Sequence, residues 1–403
     1  MANVSPIIQE LKFKKKFPGL NEAIRYRRFN NCLMHYKGPY YLMTYRLFYP
    51  NASDARYKKD SRKYHPWSSF WGSELDTTII AVLKWTDKKQ FKIIREMKIQ
   101  WPDRYATFEH NLQDARILRL GNKIYVYGQA WIDQDDAFTD TVLSYADEKA
   151  NVTKCIKRDE YCNAVVVMVQ ELQFEKDSNG IPTKTHVRHV QFPCINHNMI
   201  NTIRNNAAVE KNWCFFESGG HRYFQYFLHP HIVMSIDCKK KYQTSSPFTS
   251  IRNTFKCGMF FSPGGPLHQW KKGQLLGVGH VKYKWSCKKA ITIPRRVYKH
   301  PQDIGGLVYS MFFYVMENKP PFRILHYSNA FIPSYKDQRY ALVFPMSCVN
   351  VEKDLWAVSY GEGDDTPNVL YVTRSFIEKE LISVHDPQRP EDFTISWLPS
   401  SKH

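Results

Sequence analysis

Lys123-Ile124-Tyr125-Val126-Tyr127-Gly128 reads as a strand: apolar and aromatic residues that suit a pleated surface, closed by a glycine. Related runs recur as Tyr40-Tyr41-Leu42-Met43-Thr44-Tyr45-Arg46, Arg222-Tyr223-Phe224-Gln225-Tyr226-Phe227, Gln274-Leu275-Leu276-Gly277-Val278-Gly279-His280 and Asp354-Leu355-Trp356-Ala357-Val358-Ser359-Tyr360. The five copies are irregularly spaced at roughly 50 to 100 residues, the size of one four-stranded sheet with its loops. A radial stack of such sheets hides strand edges around a central channel. The expected fold is all-β, a five-bladed β-propeller forming one domain over residues 1–403, with a basic arm over about 1–20 and a tail over about 387–403. Unrelated strands in a sandwich or barrel are the alternative.

Composition points the same way. Twenty-five Tyr, 25 Phe and 10 Trp favour strands, and 43% hydrophobic residues in 403 supply a large core without need of disulfides or metals. Met1 to Lys16 carries charges where a signal peptide needs an apolar stretch, and no window approaches the ~20 apolar residues of a membrane span. A soluble, cytoplasmic protein is expected. Nine cysteines (Cys32, Cys155, Cys162, Cys194, Cys214, Cys238, Cys257, Cys287, Cys348) are odd in number and never form Cys-x-x-Cys. That pattern speaks against a disulfide framework and a zinc site, leaving buried thiols and no metal or cofactor as the expectation.

Fifty-seven Lys and Arg against 38 Asp and Glu give +19, a charge that attracts phosphorylated small molecules, polyanions or an anionic surface. The basic clusters are short and dispersed, from Lys12 to Lys16 through Arg295 to Lys299, and solvated faces explain them. No nucleic-acid motif accompanies them, so nucleic acid is not the expected partner.

Four constellations adjoin repeat copies. In Asn111-Leu112-Gln113-Asp114-Ala115-Arg116-Ile117, Asp114 and Arg116 stand two apart and face one side of a strand; a structural ion pair or turn is the plain alternative. Glu210-Lys211-Asn212-Trp213 sets a cation and an amide beside a large aromatic, a combination that binds sugars, although by itself a strand start with a buried Trp is the plainer reading. Pro263-Gly264-Gly265-Pro266 followed by Gly279-His280 lets backbone approach a ligand, or makes a tight turn beside a satisfied histidine. Ser359 to Asp365 brings carboxylates, Asp364 among them, to a sugar or to a turn.

In order and spacing these elements resemble the β-1,2-mannoside phosphorylases and their mannosyltransferase relatives, which are five-bladed propellers, and are most similar to members encoded by large DNA viruses. The family's Glu-Asp-Pro-Arg resembles Gln113-Asp114-Ala115-Arg116, its Lys-Asn matches Lys211-Asn212, and its Gly-Gly-Thr-Pro turn and glycine-histidine strand resemble Gly264-Gly265-Pro266 and Gly279-His280. A tyrosine-arginine at the end of the first blade matches Tyr45-Arg46. The chain departs from the pattern at Gln113, at Ala115, at Asn31 where Asn-Pro is usual, and in lacking Thr after Gly265.

The resemblance implies an inverting, hexosyltransferase-type enzyme, transferase or phosphorylase, acting on mannoside-like glycans, in an infected host cell if the chain is viral. Asp114 is then the catalytic acid or base. Tyr45, Arg46, Arg116, Lys211, Asn212, Trp213, Gly264, Gly265, His280, Tyr309 and Asp364 are the substrate-binding candidates, with Tyr314 a further donor toward an anion. The partners would be an oligosaccharide acceptor with a nucleotide sugar, or phosphate and a sugar 1-phosphate. Behind this reading stand a glycan-binding or structural viral propeller without activity, suggested by the altered motif neighbours, and then a polyanion binder, suggested by the charge.

Overall fold

The computed structural model describes residues 6–13, 27–48, 76–101, 112–132, 164–191, 193, 212–255, 258–284, 307–334, 342–363, 366–386, 388–399 and 401–402. They are nearly all β. The order is β1 (Ile7–Glu10), β2 (Arg27–Lys37), β3 (Tyr40–Phe48), β4 (Asp76–Trp85), β5 (Phe91–Gln100), β6 (Leu112–Leu120), β7 (Lys123–Ile132), β8 (Ala164–Lys176) and β9 (Pro182–Gln191). There follow β10 (Cys214–Ser218), β11 (His221–Leu228), β12 (His231–Ser235), β13 (Lys241–Thr244), helix α1 (Pro247–Phe255), β14 (Phe260–Pro263), β15 (His268–Gln269), β16 (Gln274–Lys284), β17 (Leu307–Glu317), β18 (Ile324–Tyr327) and β19 (Ala330–Ser334). The chain ends with β20 (Val343–Glu352), β21 (Leu355–Glu362), β22 (Thr366–Thr373), helix α2 (Arg374–Glu380), β23 (Ile382–Ser383), β24 (Ile395–Pro399) and β25 (Ser401–Lys402).

Pairing follows chain order. β2-β3-β4-β5 is an antiparallel run, and so is β6-β7-β8-β9; a short parallel contact, Ile99 with Thr185 and Gln100 with His186, joins them into one eight-stranded sheet. β10 to β13 form a second sheet, and β14-β16-β17-β18 the spine of a third. In the fourth sheet β20-β21-β22 is completed by β1, so the first strand pairs antiparallel with one more than 350 residues later. The repeat copies lie on β3, β7, β11, β16 and β21, each second in its antiparallel run.

The Gln9 side chain extends this closure. Its Nε2 donates to the Phe91 carbonyl (2.7 Å), while its Oε1 accepts from the Phe91 N–H (2.9 Å) and the Tyr371 hydroxyl (2.5 Å), so one amide ties β1 to β5 and β22.

Strand alternation sorts the core. On β3, Tyr41, Met43, Tyr45 and Leu47 pack with Val349, Ala357, Val369 and Tyr371 of the β20-β22 run. Leu42 faces the opposite way, into a core shared with Ile117, Val126, Phe344 and Met346. Arg46 has the same parity as Leu42, which directs it toward β6 rather than into the aromatic core.

Of the nine cysteines, Cys32, Cys214 and Cys348 are buried thiols, and burial pushes those of Cys32 and Cys214 up to about 12. Cys238 corrects the expectation of thiols alone: it is disulfide-bonded. Among the described residues no helix is long and apolar enough to cross a membrane, and no cluster of three potential metal ligands occurs.

Candidate active site

β6 is an edge strand, and its outer backbone groups are satisfied by side chains of the β2-β5 run. Thr44 Oγ1 donates to the Ala115 carbonyl (2.6 Å), Thr78 Oγ1 to the Leu112 carbonyl (3.1 Å), and the Cys32 thiol meets both the N–H and the carbonyl of Ile117. These contacts fix a bulge. The register passes from Gln113 opposite Gln129 to Arg116 opposite Tyr127, so Asp114 and Ala115 together face Gly128. Asp114 there has φ +50°, a left-handed conformation that costs a side-chain-bearing residue energy. At Gly128, by contrast, a Cβ would lie 2.5 Å from the Gln113 carbonyl oxygen, so only glycine fits against the bulge.

A second bulge faces the first. On β2 the register skips from Phe29 to Cys32, leaving Asn30 and Asn31 unmatched, and Asn30 has φ +53°. Its Nδ2 donates to Asp114 Oδ1 at 2.6 Å, and Gln129 Nε2, from β7, donates to Oδ2 at 2.7 Å. Arg46 Nη1 stands 4.0 Å from Oδ1. The side chain of Asp114 is 15% exposed and that of Arg46 only 6%, so the carboxylate is partly open beside a buried cation.

Arg116 plays a different part from the one its spacing suggests. Its Nη1 reaches the backbone carbonyl of Asp114 (3.0 Å), not the carboxylate; its Nε donates to the Gly264 carbonyl (2.5 Å) and its Nη2 to Asn212 Oδ1 (3.2 Å). The same-side reading assumed an unbroken strand, and the bulge breaks it. At 2% exposure the guanidinium is a buried staple joining β6 to the segments before β10 and after β14. Asn212 adopts φ +61°, a third left-handed side chain at the same place.

Gly264 and Gly265 lie against β20. A Cβ on Gly264 would sit 2.7 Å from the carbonyl oxygens of Pro345 and Val278, and one on Gly265 would overlap the Met346 carbonyl. The backbone that these glycines let approach is therefore β20, while the Gly264 oxygen is turned to Arg116. The Cys214 thiol donates to the Gly265 carbonyl. His280 is buried, stacks on Tyr309 (5.7 Å, 21°) and lies 4.7 Å from the Phe344 ring, over which Arg116 sits at 5.8 Å. His280 and Tyr309 thus reach Arg116 through one shared aromatic.

Other expected residues stand apart. Tyr45 faces away from Arg46 and its hydroxyl bonds Glu96, beside Arg28; burial and the Glu96 charge push its phenol well above the usual range. Trp213 is 2% exposed, its ring stacked on Phe224 at 4.3 Å, which is the buried-Trp alternative. Tyr314 is fully buried and donates to Gln225 Oε1 (2.5 Å). Lys211 and Asp364 lie outside the described residues. In the Ser359–Asp365 segment, Glu362 is buried and accepts from Asn368 Nδ2 (3.2 Å).

Sequence reasoning passed over Asn30 and Gln129. Two adjacent asparagines between Phe29 and Cys32 in a strand-like run were the available signal, since buried amides need partners.

No family model matches the chain, and no curated protein matches it in sequence. Among solved structures, β-1,2-mannobiose phosphorylase from Listeria innocua superposes with a TM-score of 0.51 at 13% identity, covering 90% of this chain and 94% of that one. The GDP-Man-dependent mannosyltransferase MPT-1 from Leishmania mexicana gives 0.45 at 11% identity over 91% and 88% of the two chains. MPT-4, a mannose phosphorylase from the same organism, gives 0.45 at 10% over 94% and 92%. The chain therefore shares the overall fold of the Listeria innocua phosphorylase along nine-tenths of its length.

Proposed function

We propose that the protein is a carbohydrate-active enzyme catalysing inverting glycosyl transfer, with Asp114 as the proton-transfer group, on a five-bladed propeller whose blades are the five antiparallel runs. The observation that carries the reading is the Asp114 carboxylate itself: partly open, on a left-handed bulge, gripped through both oxygens by amides, with Arg46 at 4.0 Å. Strained backbone around a held, accessible carboxylate is typical of a site kept for chemistry. The fold shared with a mannobiose phosphorylase supports a sugar as substrate.

In this reading the acceptor hydroxyl attacks the anomeric carbon from the face opposite the leaving group, so one C–O bond forms as the other breaks and the configuration inverts. Asp114 takes the hydroxyl proton when the donor is an activated sugar, and gives a proton to the glycosidic oxygen when phosphate is the nucleophile. We favour the activated donor. The Gln113 and Gly264-Gly265-Pro266 departures from the phosphorylase pattern support it, and three Arg116 nitrogens donate to protein acceptors rather than to an anion beside the anomeric carbon.

The test is incubation with nucleotide sugars, sugar 1-phosphates and oligosaccharides, followed by mass spectrometry. Transfer from a nucleotide sugar is expected, with inorganic phosphate at most a weak inhibitor. Phosphate-driven release of sugar 1-phosphate would establish the phosphorylase reaction; sugar binding without turnover would point to a glycan-binding protein.

A further inference from the structure

We propose that Asn30 is a positioning residue for Asp114, held in a costly conformation by the space left at Gly361 so that its amide N–H fixes the direction of the carboxylate. The inference rests on the reading of Asp114 above. Asn30 is 4% exposed, and its Nδ2 donates to Asp114 Oδ1 at 2.6 Å. A carboxylate oxygen accepts, so the nitrogen must point at Asp114 and the oxygen away from it. That oxygen, Oδ1, is buried without a hydrogen-bond partner among the described residues.

The pocket for Oδ1 exists because residue 361 is glycine. A Cβ there would collide with Asn30 Oδ1 and lie 2.9 Å from the Asn30 nitrogen. Gly361 stands on β21 opposite Phe344, whose ring carries the Arg116 guanidinium. One strand pair of the last run, β20 with β21, thus shapes both supports of the site.

Left-handed backbone costs Asn less than other side chains, but a buried acceptor without a partner among the described residues is costly, and Asn30 combines the two. In return its side chain orients the reacting carboxylate. Such a trade is expected of a group whose use is positional.

The decisive variant is Asn30→Gly in the full chain. Glycine takes φ near +53° freely, so the bulge survives while the amide is removed. With the substrates found in the transfer panel, kcat should fall roughly 10- to 100-fold while KM changes by less than about threefold, and the melting temperature should hold or rise. Asn30→Asp keeps the shape but turns the donor into an acceptor, and should be equally impaired. In an Asp114→Asn background, Asn30→Gly should cause no further loss, because the two act as one unit.

A lowered melting temperature with unchanged kcat would make Asn30 a structural residue and overturn the proposal. Losses that simply multiply in the double variant would also overturn it. If Asp114→Asn is dead and Asn30→Gly fully active, this inference alone fails. If Asp114→Asn is fully active, or the native chain turns nothing over, the functional reading fails and takes this one with it.

Discussion

Two buried polar clusters in this molecule are built to opposite rules. Around Gln225, on β11, every bond closes on the protein: Tyr314 donates to its Oε1 (2.5 Å), its Nε2 donates to His231 Nε2 (2.8 Å), and His231 Nδ1 meets Thr244 Oγ1 (3.0 Å). Gln225 and Tyr314 are fully buried, His231 nearly so, and none has left-handed backbone. Around Asp114 three residues with positive φ, Asn30, Asp114 and Asn212, meet from separate strand runs, and one buried acceptor has no partner among the described residues. The carboxylate at their centre remains partly open. The first cluster spends polar groups on packing one sheet against the next; the second accepts strain and exposure. Satisfaction of every group is the mark of a structural network; on the function proposed above, the strain and exposure around Asp114 belong to a working one.

The largest effect that separates the two is the loss of Asp114. Asp114→Asn is nearly isosteric, and removal of a general acid or base lowers turnover on the order of 10²- to 10⁴-fold. Rate by mass spectrometry and melting by calorimetry, on the same samples, check it. A normal rate at a normal melting temperature would place Asp114 with Gln225 as a structural group and dissolve the contrast.

The second effect belongs to the closed cluster and is read in pH. Burial lowers the His231 imidazole to about 4 from an ordinary 6.5. The network agrees with this: Gln225 Oε1 accepts from Tyr314, so its Nε2 must donate, and His231 Nε2 must accept, which only the neutral ring does. With the folded value depressed, the unfolded chain binds the proton first. Stability is then intact above pH 6.5, falls as pH drops toward 4, and levels off below, a loss on the order of 3 kcal/mol. Denaturant unfolding at steps between pH 7 and 4 should show the fall, and His231→Gln should reduce it by its own share, leaving the part owed to His229 and His268, whose imidazoles burial also lowers to about 4. A slope identical in both proteins would assign the acid sensitivity elsewhere.

Much of this was legible in the sequence, and the limits have physical causes. The run Lys123 to Gly128 and its four relatives mark the second strand of each antiparallel run because aromatic and branched residues at those places must fill the space between sheets. Asp114 and Asn212 could be singled out, because motifs adjoining strand ends are visible in one dimension. The Asn30-Asn31 pair was a visible signal, but its contact with Asp114, that of Gln129 and the staple role of Arg116 were not, since they depend on two bulges whose extra residues change which side a side chain faces. Tyr45 and Trp213 illustrate the converse: beside polar neighbours in sequence, both turn into aromatic cores.

The smallest effect sharpens the contrast most cleanly. Gln225→Leu keeps the volume of the side chain but leaves the Tyr314 hydroxyl and His231 Nε2 without their partners in a dry interior. An unpaired buried polar group costs about 1–3 kcal/mol, partly offset by the apolar area that leucine buries against Met316, which now receives the Gln225 Nε2 on its sulfur. The expected result is a destabilisation of about 1–3 kcal/mol in denaturant unfolding, with the rate per folded molecule unchanged because no contact of Gln225 touches the Asp114 cluster. The link that remains runs through Tyr314, whose hydroxyl also interacts with Cys214, and the Cys214 thiol bonds the Gly265 carbonyl next to the one that holds Arg116. A fall in kcat with Gln225→Leu at full folding would show that this chain of contacts couples the two clusters, and that the closed network also tunes the open one.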